Sequence, residues 1–254
     1  MIHVENLIGG KFVSAEENFD DISPLDFSVI ATIPRTKKVD EAVNAARCAL
    51  GGWSSLTMQQ RCDWLDKIAD ELENQIEEVA RLEALDTGKP IQVALDVDAS
   101  RSVKNFRFFA DFGRSIESEE FKMDDAVNYV IRKPIGVVGL ISPWNLPLYL
   151  LSWKIAPALL MGNTIIAKPS EITPLTADFL GKICVNIGLP DGVLNIVHGY
   201  GPEVGQAIVE HPEIKAISFT GGTSTGKIVA ATAAPMFKKL SWELGGKNAS
   251  IVLE

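Results

Sequence analysis

The spacing of hydrophobic residues changes about halfway along the chain, and the first half opens with short strands. The run NLIGGKFVSA alternates apolar and polar residues on either side of Gly9 and Gly10, which predicts a β-hairpin that turns at these glycines. The run FSVIATIPR predicts a second strand that ends at Pro34. The N-terminal third therefore begins as a small β-structure and continues into helices.

Three longer stretches repeat apolar residues every three or four positions, which is the spacing of one face of an α-helix. They cover residues 40–50, about 59–86 and about 91–112. A pair of glycines follows the first stretch, and a glycine and a proline follow the second, so we expect both helices to stop there.

From residue 135 onward, short β-branched runs alternate strictly with helical runs. The strands IGVVGLIS, NTIIAK, VLNIVHG and AISFTG are each followed by a helical pattern, and KKLSWEL and ASIVL are further strand-like segments. This alternation predicts a parallel sheet covered by helices on both faces, which is an α/β, Rossmann-like fold. Such sheets bind ligands at the carboxyl ends of their strands.

Composition and charge indicate a folded protein with small-molecule partners. The chain has 254 residues, is 46% hydrophobic and carries a net charge of -9, with acidic and basic residues interspersed. This length and composition can form a sizeable core, and the acidic balance argues against nucleic acid as a partner. The sequence has no apolar run long enough for a membrane span and no signal-peptide pattern, so we expect a cytoplasmic protein.

The three cysteines, Cys48, Cys62 and Cys184, are an odd number at wide spacings. This arrangement fits reduced intracellular thiols better than a disulfide or zinc framework, and we expect no metal site. Each cysteine lies in a helical pattern, where a small buried or half-buried residue is the expected role.

The segment SFTGGTSTGK has most of the phosphate-binding pattern G-x-x-x-x-G-K-[ST]. Gly221 and Gly226 have the required spacing and Lys227 follows, but Ile228 stands where a hydroxyl residue would hold Mg²⁺. An apolar side chain cannot bind that ion, so the pattern argues against phosphoryl transfer. Two alternatives remain open, namely an anion site for a dinucleotide pyrophosphate and a plain strand-to-helix connection.

Four segments together resemble the N-terminal half of the NAD(P)-dependent aldehyde dehydrogenase family: ISPWNLPL, NTIIAKPSEITPLTA, SFTGGTSTGK and WELGGKN. The resemblance runs over about residues 6–254 and includes EALDTGKP and NFRFFAD. It implies an NAD-binding domain over residues 1–254 with an oligomerisation hairpin at about 114–133. One departure is Gly222, where the family most often has serine, and we expect this change to be tolerated.

The resemblance also implies a set of cofactor-binding residues, most of them in the loops that follow the strands. These are Ile141, Ser142, Pro143, Trp144, Lys168, Ser170, Glu171, Gly201, Gly205, Phe219, Thr220, Gly221, Gly222, Thr225, Gly226, Leu244 and Gly245.

Lys168 and Glu171 match family residues that contact the adenosine ribose. A carboxylate there would accept a hydrogen bond from a 2′-hydroxyl but repel a 2′-phosphate, so NAD is favoured over NADP. Without the resemblance, a solvated lysine and a glutamate at a helix start would be the simpler interpretation.

Three further residues are matched to catalysis and substrate binding. Asn145 matches an oxyanion-hole residue that would also contact substrate, and Glu243 matches the general base. Arg101 resembles an arginine that binds the substrate carboxylate in the branch that oxidises semialdehydes of muconate type. The alternatives are a turn-forming asparagine, a surface glutamate and an ion-paired arginine.

No cysteine of the chain matches the nucleophile of the family, which lies beyond the Glu-Leu-Gly-Gly segment. We therefore expect the full-length protein to oxidise a small aldehyde, as a homodimer or homotetramer, and this chain alone to be inactive. The competing hypothesis is a non-catalytic nucleotide-binding or structural protein derived from the same fold.

Overall fold

The computed structural model describes residues 1–252 of the chain. Its strands and helices follow in the order β1 (Ile2–His3), β2 (Asn6–Ile8), β3 (Lys11–Val13), β4 (Asn18–Ile22), β5 (Val29–Pro34), α1 (Val39–Ser54), α2 (Met58–Asn74), α3 (Ile76–Thr87), α4 (Ile91–Val93), α5 (Ser100–Ser115), β6 (Glu119–Lys122), β7 (Val127–Val130), β8 (Val137–Ile141), α6 (Pro147–Leu160), β9 (Thr164–Lys168), α7 (Leu175–Asn186), β10 (Leu194–Ile196), α8 (Gln206–Glu210), β11 (Ile214–Thr220), α9 (Thr223–Ala233) and β12 (Lys239–Glu243). A π-helical turn precedes α5 (Ala94–Ala99), and another precedes α8 (Gly201–Gly205).

The central sheet has seven strands in the order β12-β11-β8-β9-β10-β2-β3. Its first five strands pair in parallel, as the alternating pattern predicted. The N-terminal hairpin β2–β3 extends the sheet in antiparallel pairing, and its turn lies at the predicted glycines. The predicted α/β, Rossmann-like fold class is confirmed.

Alternate residues of the central strands pack into two hydrophobic cores, one on each face of the sheet. In β9, Ile165 and Ala167 pack with helices α2, α5, α6 and α7. Ile166, between them, packs on the other face with α1, α8 and α9. Every residue of β9 is buried, which explains why the strand reads as a continuous apolar run.

Two smaller sheets lie outside this framework. The order β1-β5-β4 makes the first, and it includes the strand predicted to end at Pro34. The second is the hairpin β6–β7, whose residues are all exposed, within the segment predicted as an oligomerisation arm.

Two helix boundaries differ from the sequence-based prediction. Helix α1 continues through Gly51 and Gly52 to Ser54, because the buried Trp53 anchors its last turn through a 3.1 Å hydrogen bond from Nε1 to the Leu159 carbonyl oxygen. The long helix predicted over residues 59–86 is two helices, separated at Gln75. Tertiary contacts of this kind override weak local preferences.

Two further expectations need correction. Residues 249–252 of the segment ASIVL form no strand, and Leu253 lies outside the described residues. Cys62 and Cys184 are buried in helices as expected, but Cys48 is exposed on α1. Among the helices of residues 1–252, none combines the length and apolar character needed to cross a membrane.

Candidate functional site

A cleft of about 550 Å³ opens at the carboxyl ends of β8, β9 and β11. Strand-to-helix connections meet there, because the carboxyl ends of parallel strands share one edge of the sheet. Most of the predicted cofactor-binding residues line it: Ile141, Ser142, Pro143, Trp144, Lys168, Ser170, Glu171, Gly201, Gly205, Phe219, Thr220, Gly221, Gly222 and Thr225.

The other three predicted residues, Gly226, Leu244 and Gly245, do not line the cleft. They form contacts between α9 and the segment that follows β12. A Cβ atom at Gly226 would lie 2.6 Å from Leu244 Cδ2, so this glycine allows the leucine to pack against α9. The Gly245 backbone N–H donates to Thr223 Oγ1 at 3.2 Å. Through these contacts, the residues that follow β12 stabilise the first turns of α9.

The glycine-rich turn after β11 has a shape that requires glycine at one position. A Cβ atom at Gly221 would lie 2.6 Å from the Phe219 ring, whereas a Cβ atom at Gly222 would meet only Ser224 Oγ, at 3.8 Å. Glycine or serine therefore fits at Gly222, in agreement with the expected tolerance. Helix α9 starts directly after the turn with no side-chain cap, so its first N–H groups can bind an anion.

A buried ion pair forms the opposite side of the cleft. Lys168 is 2% exposed, and its Nζ donates to Glu171 Oε2 at 3.0 Å and to the Pro169 carbonyl oxygen at 2.8 Å. Burial lowers the pKa of Lys168, while the charge of Glu171 acts in the opposite direction.

Glu171 is the more accessible member of this pair. Burial raises its pKa, but the Lys168 ammonium and backbone N–H donors, including that of Gly201 at 3.5 Å, outweigh it and hold the pKa below its usual range. The Glu171 side chain is 29% exposed, so an ionised carboxylate faces the cleft at neutral pH.

Two buried hydroxyl groups in the cleft wall are available to a ligand. Ser142 Oγ and Thr220 Oγ1 have no hydrogen-bond partner in the part of the chain that the structure describes. A buried hydroxyl without a partner is costly, and a polar ligand in the cleft would satisfy both.

An apolar slot between α8 and α9 was not predicted from the sequence. Val209, Ile228 and Val229 line it, and Ile172, Pro202 and Gln206 complete the wall. Ile228 is 59% exposed and lies beside the glycine-rich turn. Its position directly after Gly226 and Lys227 was the signal that could have identified it as a contact for an apolar ring.

A second cavity, of about 480 Å³, contains Glu243 and the buried Lys154 on the α6 side of the sheet. Lys154 Nζ donates to Ser218 Oγ at 3.0 Å. Burial lowers the pKa of Lys154 to about 8, and the charge of Glu243 acts in the opposite direction. Lys154 was not predicted from the sequence, although a single lysine in the apolar helix LPLYLLSWKIAPALL was a visible signal.

Asn145 and Arg101 line neither of these two cavities. Asn145 lies exposed in the bend between β8 and α6, and within residues 1–252 its side-chain amide makes no hydrogen bond. Arg101 is exposed on the first turn of α5. The predicted substrate-binding residues are therefore not brought together with Glu243 in one cavity.

Comparison with known proteins identifies the family to which this chain belongs. The profile of the aldehyde dehydrogenase family matches residues 12–254. The chain belongs to the aldehyde dehydrogenase family. It is 48% identical to human 2-aminomuconic semialdehyde dehydrogenase, over all of this chain and 53% of that protein. It is 43% identical to 2-hydroxymuconic semialdehyde dehydrogenase of Pseudomonas sp. strain CF600, over 99% of this chain and 54% of that protein.

A solved aldehyde dehydrogenase has the same fold. The NAD⁺ complex of the aldehyde dehydrogenase from Bacillus cereus superimposes with a TM-score of 0.94 at 43% identity, over 99% of this chain and 53% of that one. The predicted resemblance to aldehyde dehydrogenases, including the muconic semialdehyde branch, is confirmed. The chain spans about half the length of the curated relatives it matches.

Proposed function

We propose that this aldehyde dehydrogenase chain binds NAD in the cleft and contributes to oxidation of a muconate-type semialdehyde. The observation that carries the proposal is the composition of the cleft. An uncapped helix start, an ionised carboxylate and an apolar slot surround one space, and a dinucleotide needs all three kinds of surface.

We assign the pyrophosphate, a ribose and the adenine ring of the dinucleotide to separate surfaces of the cleft. The first N–H groups of α9 would hold the pyrophosphate, and the Glu171 carboxylate would accept hydrogen bonds from the ribose. Val209, Ile228 and Val229 would enclose the flat adenine ring. When bound, the nicotinamide would accept the hydride. The residues of this chain would hold the coenzyme in position and provide charged groups around it.

The choice of NAD over NADP rests on Glu171. Its carboxylate is ionised and faces the cleft, so a 2′-phosphate placed beside it would be repelled. Lys168 cannot reverse this preference, because its ammonium is already bound to Glu171 and to the Pro169 carbonyl oxygen.

For the catalytic side, we assign roles to Asn145, Glu243 and Lys154. The free amide of Asn145 would donate to the aldehyde oxygen as negative charge develops there. Glu243 would accept a proton from water, and the adjacent Lys154, with its pKa near 8, could pass that proton on.

The substrate assignment rests on Arg101 and on the relatives. Arg101 is exposed, and a guanidinium suits the carboxylate that a muconic semialdehyde carries. Similar proteins are named for such semialdehydes. We also infer a homodimeric or homotetrameric whole protein, supported by the exposed hairpin β6–β7.

Calorimetric titration of the protein with NAD and with NADP tests the coenzyme assignment. We expect NAD to bind at least tenfold more tightly, and we expect Glu171→Gln to reduce that ratio because the repelling charge is lost. Glu120→Gln, on the distant exposed hairpin, is the matched control and should keep the ratio. Equal binding of both coenzymes by the unaltered protein, or no binding of either, would contradict the proposal.

A further inference from the structure

The loop between α3 and α4 holds the bend that carries Asn145. Lys89 Nζ donates to both carboxylate oxygens of Asp98 at 2.9 Å each, and to the Asn145 backbone carbonyl oxygen at 3.3 Å. The lysine therefore links a fixed carboxylate to the peptide of Asn145.

Asp98 is a rigid anchor for this link. It is completely buried, within the π-helical turn between α4 and α5, and Ser102 Oγ donates to its carbonyl oxygen at 2.7 Å. Single π-helical turns inside α-helices are frequent at functional sites. Because a buried carboxylate keeps its cationic partner, the Lys89 ammonium has little freedom to move away.

A second contact fixes the far end of the same bend. Glu83 Oε1 accepts a 2.8 Å hydrogen bond from the Leu148 backbone N–H. Lys89 holds Asn145 and Glu83 holds Leu148, so both ends of the short connection are attached to the α3 region. The Asn145 side-chain amide therefore projects from a backbone that is hydrogen-bonded at its own carbonyl and at the Leu148 N–H.

We propose that Lys89, held by Asp98, is a positioning residue that fixes the Asn145 peptide so that its side-chain amide faces the reacting aldehyde oxygen. This inference rests on the proposed function, because it assigns Lys89 a role through Asn145. A donor stabilises developing charge only when its direction is set before the reaction begins. Lys89 itself touches neither substrate nor coenzyme in this proposal.

Fluorine NMR of the protein labelled with 5-fluorotryptophan tests the positioning directly. Trp144 precedes Asn145, and its resonance among the five tryptophans is the one lost in Trp144→Phe. We expect Lys89→Met to move the Trp144 resonance by more than its linewidth while the buried Trp53 resonance stays in place. Lys104→Met, which removes an exposed lysine from α5, is the matched control and should move neither resonance.

Lys89→Met leaves Asp98 buried without a cation. If this variant does not fold, the double variant Lys89→Met/Asp98→Asn takes its place. An unmoved Trp144 resonance in a folded variant of either kind would overturn the proposal. A Trp144 shift accompanied by an equal Trp53 shift would also overturn it, since this would indicate a general disturbance of the fold.

Turnover by the full-length protein gives the readout that a purely structural role would not move. We expect Lys89→Met to lower kcat about tenfold with the KM for NAD unchanged, a smaller effect than the 10²–10³ of removing a donor outright. In an Asn145→Ala background the effect of Lys89→Met should vanish. An equal loss in both backgrounds would refute action through Asn145. Failure of the proposed function would look different: Asn145→Ala would leave kcat unchanged while Lys89→Met still moved the Trp144 resonance.

Discussion

Glu83 gives a pH dependence that can be worked out from the structure. Its side chain is fully buried between α3 and the start of α6, where Oε1 accepts from the Leu148 N–H at 2.8 Å and from Thr176 Oγ1 at 3.3 Å. Oε2 is buried and has no hydrogen-bond partner among the described residues. Burial is the largest cause that raises the pKa of Glu83, from 4.5 to about 7.

Stability falls as the pH rises, because the folded protein holds the Glu83 proton more tightly than the unfolded chain does. Below pH 4.5 the carboxyl group is protonated in both states, and its contribution to stability is complete. As the pH rises from 4.5 to about 7, the unfolded chain loses the proton first and the folded protein loses stability. A shift of this size corresponds to about 3 kcal/mol of unfolding free energy, lost by pH 8.

Glu83→Gln removes this titration and keeps an oxygen for the Leu148 N–H. Urea unfolding followed by tryptophan fluorescence should show the variant gaining about 2.5 kcal/mol relative to the unaltered protein between pH 5 and pH 8. Glu77→Gln, an exposed acid on the same helix, is the control and should leave the pH profile unchanged. A variant with the same pH dependence as the unaltered protein would refute the assignment of the titration to Glu83.

Three further predictions concern the turn, the buried lysine and the end of α1. Gly221→Ala should weaken NAD binding at least tenfold in calorimetry, because its Cβ would lie 2.6 Å from the Phe219 ring, whereas Gly222→Ser should bind within about twofold of the unaltered protein. Burial lowers the pKa of Lys154 from 10.5 to about 8, so the unaltered protein should gain stability as the pH rises from 8 towards 10.5. Urea unfolding should show that Lys154→Met lacks this gain. Trp53→Phe should lower the unfolding free energy by about 1–3 kcal/mol, since it leaves the Leu159 carbonyl without its donor; an unchanged denaturation midpoint would argue against that bond.

The sequence predicted the sheet well because buried parallel strands leave a simple pattern. Each of β8 to β11 is a short apolar run between glycines or prolines, and strand-to-helix alternation fixes how they connect. Helix ends were predicted less well. Nothing in the local sequence of Gly51 and Gly52 indicates that Trp53 will bond to the Leu159 carbonyl and extend α1 past them. That contact depends on the whole fold.

The candidate site also has parts that could be predicted from the sequence and parts that could not. Residues that follow strands could be grouped from the sequence, since the sheet gathers them at one edge. The apolar slot between α8 and α9 could not, because Val209 and Ile228 come from separate helices whose approach only the fold defines. Lys154 was missed because a lysine in an apolar helix can also extend to solvent, and burial decides its chemistry.

The pleat of β11 explains how one sheet supports both cavities. Phe219 pairs in register with Ile141, which pairs with Lys168, so one row across three strands leads into the proposed coenzyme cleft. Ser218, one residue earlier, bonds to Lys154 on the α6 side. Because successive residues of a strand face opposite sides, the adjacent residues Phe219 and Ser218 contribute to different cavities. A one-residue shift in the register of β11 would exchange the two environments, so the pairing of β11 with β8 is a requirement of the proposed chemistry as well as of the fold.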